Sequence, residues 1–297
     1  MSTVSQVQPS ASALNVARCR AIATHEPREA IRLEDYMAEF FLGEEARQSL
    51  KDSATHALFL KRLDAFSPGA YEYFIARTAY LDEIVEDALQ RGLPQLVFLG
   101  AGYDTRAYRF REMLRETRVF ELDNAATQQH KRGLLEASHI AVPAQVRFVT
   151  IDFIRDDLCK KLSQAGYAPD QKTLFIWEGV TYYLSPGAVD NTLRFLRRSS
   201  PPGSIICFDY MLPASDLAGR YGAQQARATM QATYLDEPLQ FDLAETQIAD
   251  FLTQRGFGLI EHLTVENMQA RYLTLRDGTL AGQVLDLFRL VQACVKG

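Results

Sequence analysis

The sequence predicts an α/β fold in which a mostly parallel sheet carries helices on both faces and follows a helical segment. Two observations support this prediction. Up to Pro94 the apolar residues recur at helical spacing, and after Pro94 short apolar strands alternate with helical stretches. Such alternation is typical of parallel sheets, because each parallel connection crosses over through a helix. The 297 residues suffice for two domains or for one large α/β domain with a cap.

The helical segment is predicted from the spacing of its apolar residues. Helices are expected over 31–41, 44–65 and 71–89. The sequence Ser67-Pro68-Gly69 separates the second helix from the third, and Gly92-Leu93-Pro94 ends the segment, because glycine and proline both stop helices. Residues 1–13 are rich in polar side chains, and we expect them to form a disordered tail.

The part of the chain after Pro94 contains the alternating elements. The predicted strands cover 96–100, 118–122, 146–151, 174–178, 204–209 and 258–263. The predicted helices cover 105–115, 125–137, 156–165, 186–198 and 244–255. An irregular stretch is expected from 210 to 242, and an apolar run over 285–295 ends the chain.

Composition excludes several classes of function. The chain has 32 Lys+Arg against 37 Asp+Glu, a net charge of −5, which argues against a nucleic-acid partner. No apolar stretch is long enough to cross a membrane. The four cysteines and five histidines show no metal-ligand spacing, so we expect no bound metal and a cytoplasmic protein with reduced thiols.

The most informative segment is the turn after the first strand. Gly100 and Gly102 permit a tight turn and the close approach of a ligand, and the following helix adds a partial positive charge. Taken alone, this turn is equally a structural feature of α/β folds. Asp123 lies 21 residues after Gly102, at the end of the second strand, where an acid can accept hydrogen bonds from both ribose hydroxyls of an adenosine-containing ligand. Its alternative role is that of a helix N-cap.

Further acids end the third and fourth strands. Asp152 and Phe153 follow the third strand, where they can contact an adenine ring or form a simple turn. Glu178 ends an otherwise apolar strand, and a buried carboxylate there requires a cation or a hydrogen-bond donor. Ligands of open α/β sheets bind outside the carboxyl ends of the strands, which is where these acids lie.

These motifs together resemble one family. The segments 100–106, 121–123, 152–153 and 178–184 are similar to those of the leucine carboxyl methyltransferases, a family that includes bacterial polyketide O-methyltransferases of the tetracenomycin type. The likeness extends from about residue 13 to the C-terminus. It implies a Rossmann-like class I methyltransferase sheet of about seven strands, with S-adenosyl-L-methionine (SAM) as cofactor and S-adenosylhomocysteine as product.

The resemblance also implies roles for individual residues. It assigns Arg77, which would otherwise be read as a surface residue, to the methionine carboxylate, and an arginine fork suits that group. The glycine turn with Gly100 then lies against the methionyl part and Asp123 holds the ribose. Asp152 and Phe153 frame the adenine, and Glu178 helps to hold the amino-acid end. We therefore expect a SAM-binding domain over 70–297 and a helical cap or lid over 14–69.

The acceptor is the open question. The stretch 210–243 carries no motif that maps onto the family, and it is equally a substrate pocket or an ordinary helical insert. Its pocket candidates are Tyr210, Met211, Arg220, Tyr221 and Tyr234, and the catalytic candidates elsewhere are Tyr182, Tyr183 and Arg106. We expect methyl transfer to a carboxylate or hydroxyl oxygen of a small molecule, for which a polyketide-like metabolite is one candidate.

Three alternatives to this function stay open. One is an NAD(P)-dependent oxidoreductase, although Thr105 replaces the third glycine of its usual motif. Another is a carboxyl methyltransferase acting on a protein C-terminus, and a third is a non-catalytic protein with the same fold. Methylation of nucleic-acid bases is disfavoured by the sequence Glu178-Gly179-Val180-Thr181, which replaces the motif typical of those enzymes.

Overall fold

The chain was studied as a computed structural model that describes residues 8–50 and 52–297. Its first helix, α1 (Ala11–Ala23), begins inside the expected tail, because the Ser10 hydroxyl accepts a hydrogen bond from the Ala13 amide at 3.2 Å and caps the helix. Residues 1–7 of that tail lie outside the described residues. Within the described parts of the chain, no helix is long and apolar enough to cross a membrane.

The rest of the front segment is more broken than the sequence predicts. Instead of a helix over 31–41 there are two 3-10 turns, Glu29–Ile31 and Ala38–Phe41. The helix expected over 44–65 is divided into α2 (Glu44–Ser49) and α3 (Ser53–Phe66). The division follows from Asp52, whose side chain accepts from the amides of Ala54 and Thr55 and so starts a new helix.

The long helix α4 (Ala70–Gln90) confirms the prediction over 71–89. It starts after Gly69, whose φ of +78° falls in the left-handed region that glycine adopts without strain. A Cβ at this position would lie 2.5 Å from the backbone of Gln283 and Leu285, so the helix start packs directly against a segment near the C-terminus.

The described residues form a seven-stranded sheet that confirms the predicted α/β class. The strands are β1 (Gln95–Leu99), β2 (Arg118–Asp123), β3 (Val146–Thr150), β4 (Thr173–Trp177), β5 (Ile205–Met211), β6 (Phe257–Leu263) and β7 (Phe288–Val295). Their order is β3-β2-β1-β4-β5-β7-β6, in which β1 to β5 pair in parallel and β7 pairs antiparallel with both β5 and β6. The final apolar run thus becomes a central strand, buried because it lies between two others.

The helices on the two faces differ from the predicted ones in three places. They are α5 (Arg106–Arg109), α6 (Arg111–Leu114), α7 (Ala125–Ala137), α8 (Leu158–Gln164), α9 (Pro186–Arg198), α10 (Ala223–Thr233), α11 (Ile248–Gln254) and α12 (Val265–Tyr272). The helix expected over 105–115 is split at Phe110. The stretch expected to be irregular contains α10, which buries only two alanines and therefore lacks a strong apolar pattern. Helix α12 was also not predicted, although Thr264 and Asn267 form a capping box.

Candidate functional site

A cavity of about 900 Å³ opens at the carboxyl ends of β1 to β4. It lies where the strand order reverses between β1 and β4, the position at which open α/β sheets bind ligands. Its strand-end wall consists of lining residues that follow these four strands, within 100–104, 123–126, 150–156 and 178–184. Its helical wall consists of lining residues from α1, α3, α4 and α10, the turn after α10, and the segment 285–288.

The glycine turn that follows β1 is part of the strand-end wall. Gly100 has a φ of +78°, and a Cβ added there would lie 2.4 Å from Val180 Cγ2. The amides of Gly100 and Ala101 both donate to the Leu122 carbonyl, at 2.9 and 2.8 Å, which fixes the turn against β2. Only glycine can adopt this conformation and come so close to Val180. A residue with a side chain therefore does not fit at position 100.

Asp123 is held by the same turn. The Gly102 amide donates to its Oδ2 at 2.6 Å, and the Asn124 amide donates to its Oδ1 at 2.7 Å. Burial raises the pKa of this carboxyl from 3.8 to about 6, although the two amides act in the opposite direction. The N-cap of α7 is Asn124, so the alternative role of Asp123 as the cap is wrong.

Asp152 and Phe153 line the neighbouring part of the wall. The Asp152 side chain is exposed, and its Oδ1 accepts from the Ile154 amide at 2.9 Å. Phe153 is half-buried against the core. The structure therefore brings both residues to the cavity beside Asp123, with an aromatic surface and a carboxylate next to each other.

Arg77 is buried on α4 and connects two acids. Its Nε lies 2.9 Å from Glu178 Oε1, and its Nη1 donates to Asp209 Oδ2 at 2.7 Å. Asp209 also accepts from the Tyr73 hydroxyl at 2.8 Å and from the Gly179 amide at 2.7 Å. The sequence indicated Arg77 and Glu178 but not Asp209, which in sequence looks like an ordinary strand residue.

Glu178 lies between two guanidinium groups. Besides Arg77, Arg106 donates from Nη1 to Glu178 Oε2 at 2.8 Å. Burial opposes ionisation, but Arg77 and Arg106 together lower the pKa of Glu178 from 4.5 to about 2. Glu178 is therefore ionised across the physiological range and is already paired within the protein.

Arg106 does not line the cavity. It is buried behind Glu178, where it also pairs with Asp82 at 2.6 Å and with Asp104 at 2.6 Å. In this position Arg106 holds the acids in place. It has no contact with the cavity, where a catalytic residue would have to act.

Tyr182 and Tyr183 lie in a 3-10 turn after β4, and both line the cavity. Their rings meet edge to face with centroids 4.7 Å apart, and Tyr182 also packs on Phe288 at 5.0 Å. Burial raises the pKa of both phenols above the ordinary value of 10. At neutral pH they are protonated and act as hydrogen-bond donors.

Only Tyr234 of the five expected pocket residues lines the cavity, where its hydroxyl accepts from Asn15 Nδ2 at 2.9 Å. Tyr210 and Met211 are fully buried in β5, and Tyr210 bonds His262 at 3.0 Å. Those two expectations are wrong because a central strand directs its side chains into the packing on the two faces of the sheet.

Arg220 and Tyr221 also lie away from the cavity, so their expected place in the pocket is wrong as well. The guanidinium of Arg220 pairs with Asp286 at 3.1 Å and with Glu245 at 3.5 Å. Tyr221 is exposed at the surface and its ring edge packs near Gly69. Both residues instead fix the chain that leads into α10.

The helical wall contains functional candidates that the sequence reading missed. It includes Asn15, Val16, Cys19, Phe59, Arg62, Leu63, Phe66, Phe74, Glu237 and Leu285. Many of these are apolar or aromatic residues of short helices. A weak signal existed in the aromatic residues of α3, but such residues are equally common in a core.

Two relatives are similar to this chain over most of its length, and both are named "Putative S-adenosyl-L-methionine-dependent methyltransferase". The one from Mycolicibacterium smegmatis is 32% identical over 259 residues, which is 85% of this chain and 80% of the relative. The one from Mycobacteroides abscessus is 32% identical over 263 residues, 85% of this chain and 84% of the relative.

Two solved structures share the fold. A putative methyltransferase from Thermobifida fusca matches with a TM-score of 0.58 at 16% identity, covering 99% of this chain and 97% of the other. A DUF574 family protein from Streptomyces avermitilis matches with a TM-score of 0.57 at 14% identity, covering 93% and 96%.

The cavity fits a nucleoside cofactor with an amino-acid group. A turn that excludes any side chain, a carboxylate fixed by two amides, and an aromatic surface follow one another along the strand-end wall. The volume of about 900 Å³ lies near the upper end of the range of ~300–1,000 Å³ for small-molecule sites. Among the described residues, no group of three or more His, Cys, Asp or Glu is arranged to hold a metal ion.

The family follows from these findings. The sequence model of the leucine carboxyl methyltransferases matches residues 13–197, more than half of the chain. Together with the relatives, this match identifies the cofactor as SAM and decides against a nicotinamide cofactor. The chain is a SAM-dependent methyltransferase and belongs to the leucine carboxyl methyltransferase family.

Proposed function

We propose that this enzyme transfers the methyl group to a carboxylate or acidic hydroxyl oxygen of a small, largely apolar molecule, such as a polyketide-like aromatic. The observation that carries the proposal is the composition of the helical wall. It offers the acceptor aromatic and aliphatic side chains, including Phe59, Phe66 and Met230. None of the described residues that line the cavity is a histidine. An acceptor that is already anionic needs no general base.

The strand-end wall would hold the cofactor. In this proposal Asp123 accepts from the ribose hydroxyls, Asp152 and Phe153 flank the adenine, and Arg77 and Glu178 face the amino-acid end. When bound, SAM supplies a methyl group carried on a positively charged sulfonium. Because Arg77 already pairs with Glu178 and Asp209, these three residues act as one preorganised unit.

The residues near the acceptor would orient it and exclude water. The Tyr182 and Tyr183 phenols stay protonated, and burial also raises the pKa of the Cys19 thiol to about 12. These groups therefore donate hydrogen bonds and do not remove protons. Arg62, an exposed cation of α3 on the cavity wall, favours an acceptor with a negative charge. Alignment and desolvation would supply most of the rate enhancement.

The proposal is tested with matched acceptors. Purified enzyme is incubated with methyl-labelled SAM and with naphthoic acid, naphthol, naphthylamine, or a short peptide ending in leucine. We expect label in the acid, recovered as a base-labile ester, or in the hydroxyl, recovered as a stable ether. Transfer to the amine alone would contradict an oxygen acceptor. Transfer to the peptide alone would favour a carboxyl methyltransferase for protein C-termini.

We further propose that residues 14–69 act as a lid and that the enzyme works in the cytoplasm. The Arg20 guanidinium of α1 donates to the Tyr103 carbonyl at 2.6 Å and pairs with Asp35 at 3.0 Å, which connects the front segment to the glycine turn. All four cysteines are free, which suits a reducing compartment. Amide hydrogen exchange in α1 and α3 should slow when S-adenosylhomocysteine binds, and unchanged exchange would contradict the lid.

A further inference from the structure

Glu237 is a cavity residue that has no role in the function proposed above. It lies in the turn after α10, where its amide donates to the Tyr234 carbonyl at 3.0 Å. The same segment is attached to the turn after β4, because the Gln240 amide donates to the Tyr182 carbonyl at 2.8 Å. Glu237 is therefore positioned on the cavity by backbone hydrogen bonds at both ends of its turn.

One oxygen of this carboxylate needs a donor. Glu237 Oε2 is buried and has no hydrogen-bond partner among the residues that the structure describes. A desolvated carboxylate oxygen without a donor costs free energy, and such atoms in native proteins are explained by a ligand or by water. Because the residue lines the cavity, a molecule bound there can supply the donor.

The surroundings indicate which part of the ligand this is. Glu237 and Asp123 line the same cavity, and helix α1 connects their two segments, because the Ser10 amide donates to Thr127 of α7 at 3.1 Å and Asn15 donates to Tyr234 at 2.9 Å. Burial is the main cause of the raised pKa of Asp123, and the charge of Glu237 acts in the same direction. Two carboxylates that line the same cavity can both accept hydrogen bonds from a ligand group with several hydroxyls.

We propose that Glu237 is a second carboxylate for the cofactor's ribose, opposite Asp123, so that the segment after α10 closes over the nucleoside. This inference rests on the ribose role proposed for Asp123. It adds a contact from the helical wall to the cofactor. Binding of the cofactor would then fix a segment that also borders the acceptor side of the cavity.

The test measures binding of two ligands by calorimetry, without any turnover. S-adenosylhomocysteine contains the nucleoside and the amino-acid part, whereas 5′-methylthioadenosine keeps the nucleoside and its 5′ thioether but lacks the amino-acid part. We expect Glu237→Ala to weaken both ligands about 10-fold, the effect of losing a hydrogen bond to a charged acceptor. The matched control is Asp236→Ala, an exposed acid next in sequence that does not line the cavity, and it should bind both ligands like the wild type.

Three results would overturn the inference. These are unchanged binding of both ligands, tighter binding of either, or weakening of S-adenosylhomocysteine alone, which would place Glu237 at the amino-acid end. Asp123→Ala separates the two proposals. If that variant binds like the wild type, the ribose role of Asp123 fails; if it is weakened and Glu237→Ala is not, only the present inference fails.

Discussion

The two walls of the cavity are built in different ways. The strand-end wall presents backbone amides and fixed carboxylates that follow β1 to β4, and its glycine turn admits no side chain. The helical wall presents mostly apolar and aromatic side chains from helices that precede β1 or follow β5. The first wall suits a ligand of constant chemistry, such as the cofactor, and the second suits an acceptor that differs between enzymes.

The largest effect is expected from removing Arg77, the cation of α4 that pairs with the acids at the strand ends. Arg77→Ala leaves Asp209 buried without its cation and removes one of the two guanidinium groups that pair with Glu178. We expect the free energy of unfolding to fall by about 3–5 kcal/mol and S-adenosylhomocysteine binding to be lost. Denaturant unfolding and calorimetry measure the two effects.

The control for this variant lies on the same helix. Arg91→Ala removes an exposed arginine at the end of α4 that pairs with Asp87 across one turn. Its free energy of unfolding should stay within about 0.5 kcal/mol of the wild type. Equal effects of the two variants would show that Arg77 has no special place in the site.

The next largest effect concerns the glycine turn. Gly100→Ala introduces a Cβ that meets Val180 and forces alanine into a positive φ, so we expect about 1–3 kcal/mol of destabilisation and weaker S-adenosylhomocysteine binding. Gly92→Ala is the matched control, because Gly92 has a φ of +73° but no atom within 4 Å of an added Cβ. If both variants bind the ligand equally, the close contact at Gly100 is irrelevant to the cofactor.

A moderate effect is expected from pH. Burial raises the pKa of Asp123 to about 6, and hydroxyl donors of a bound ligand favour the ionised form. S-adenosylhomocysteine affinity should therefore fall towards 10-fold per pH unit as the pH drops below about 6, and Asp123→Asn should remove that dependence. Stability of the free protein has the opposite sign: the contribution of Asp123 is present below pH 3.8 and is lost as the pH rises through 6.

The smallest effect on stability is expected at the helical wall. Phe66 lines the cavity although its side chain is 62% exposed, so Phe66→Ala should change the free energy of unfolding by under about 0.5 kcal/mol. It should raise KM for the acceptor while S-adenosylhomocysteine affinity stays within twofold. Leu58→Ala, also exposed on α3 but outside the cavity, should leave both values unchanged. A loss of cofactor affinity in Phe66→Ala would contradict the assignment of the cofactor to the strand-end wall and of the acceptor to the helical wall.

The sequence was most informative where contacts are local or follow from sheet topology. Glycine at a tight turn and an acid at the end of the next strand are fixed by backbone geometry, so Gly100, Gly102 and Asp123 could be placed together. The stretch 210–243 was harder, because a helix such as α10 has little apolar pattern of its own. Four of its five expected pocket residues proved to serve the core or the surface.

By itself the sequence determined the α/β class, the parallel strands and the strand-end wall, because hydrophobic periodicity and turn chemistry act over a few residues. Tertiary structure decided the partners of buried charges and the composition of the helical wall. Arg77 and Asp209 are 132 residues apart in sequence but form one hydrogen bond, and Glu237 reaches the same cavity as Asp123. Such pairs carry no local signal, since burial of a charge is decided only when distant segments pack and the surrounding water is removed.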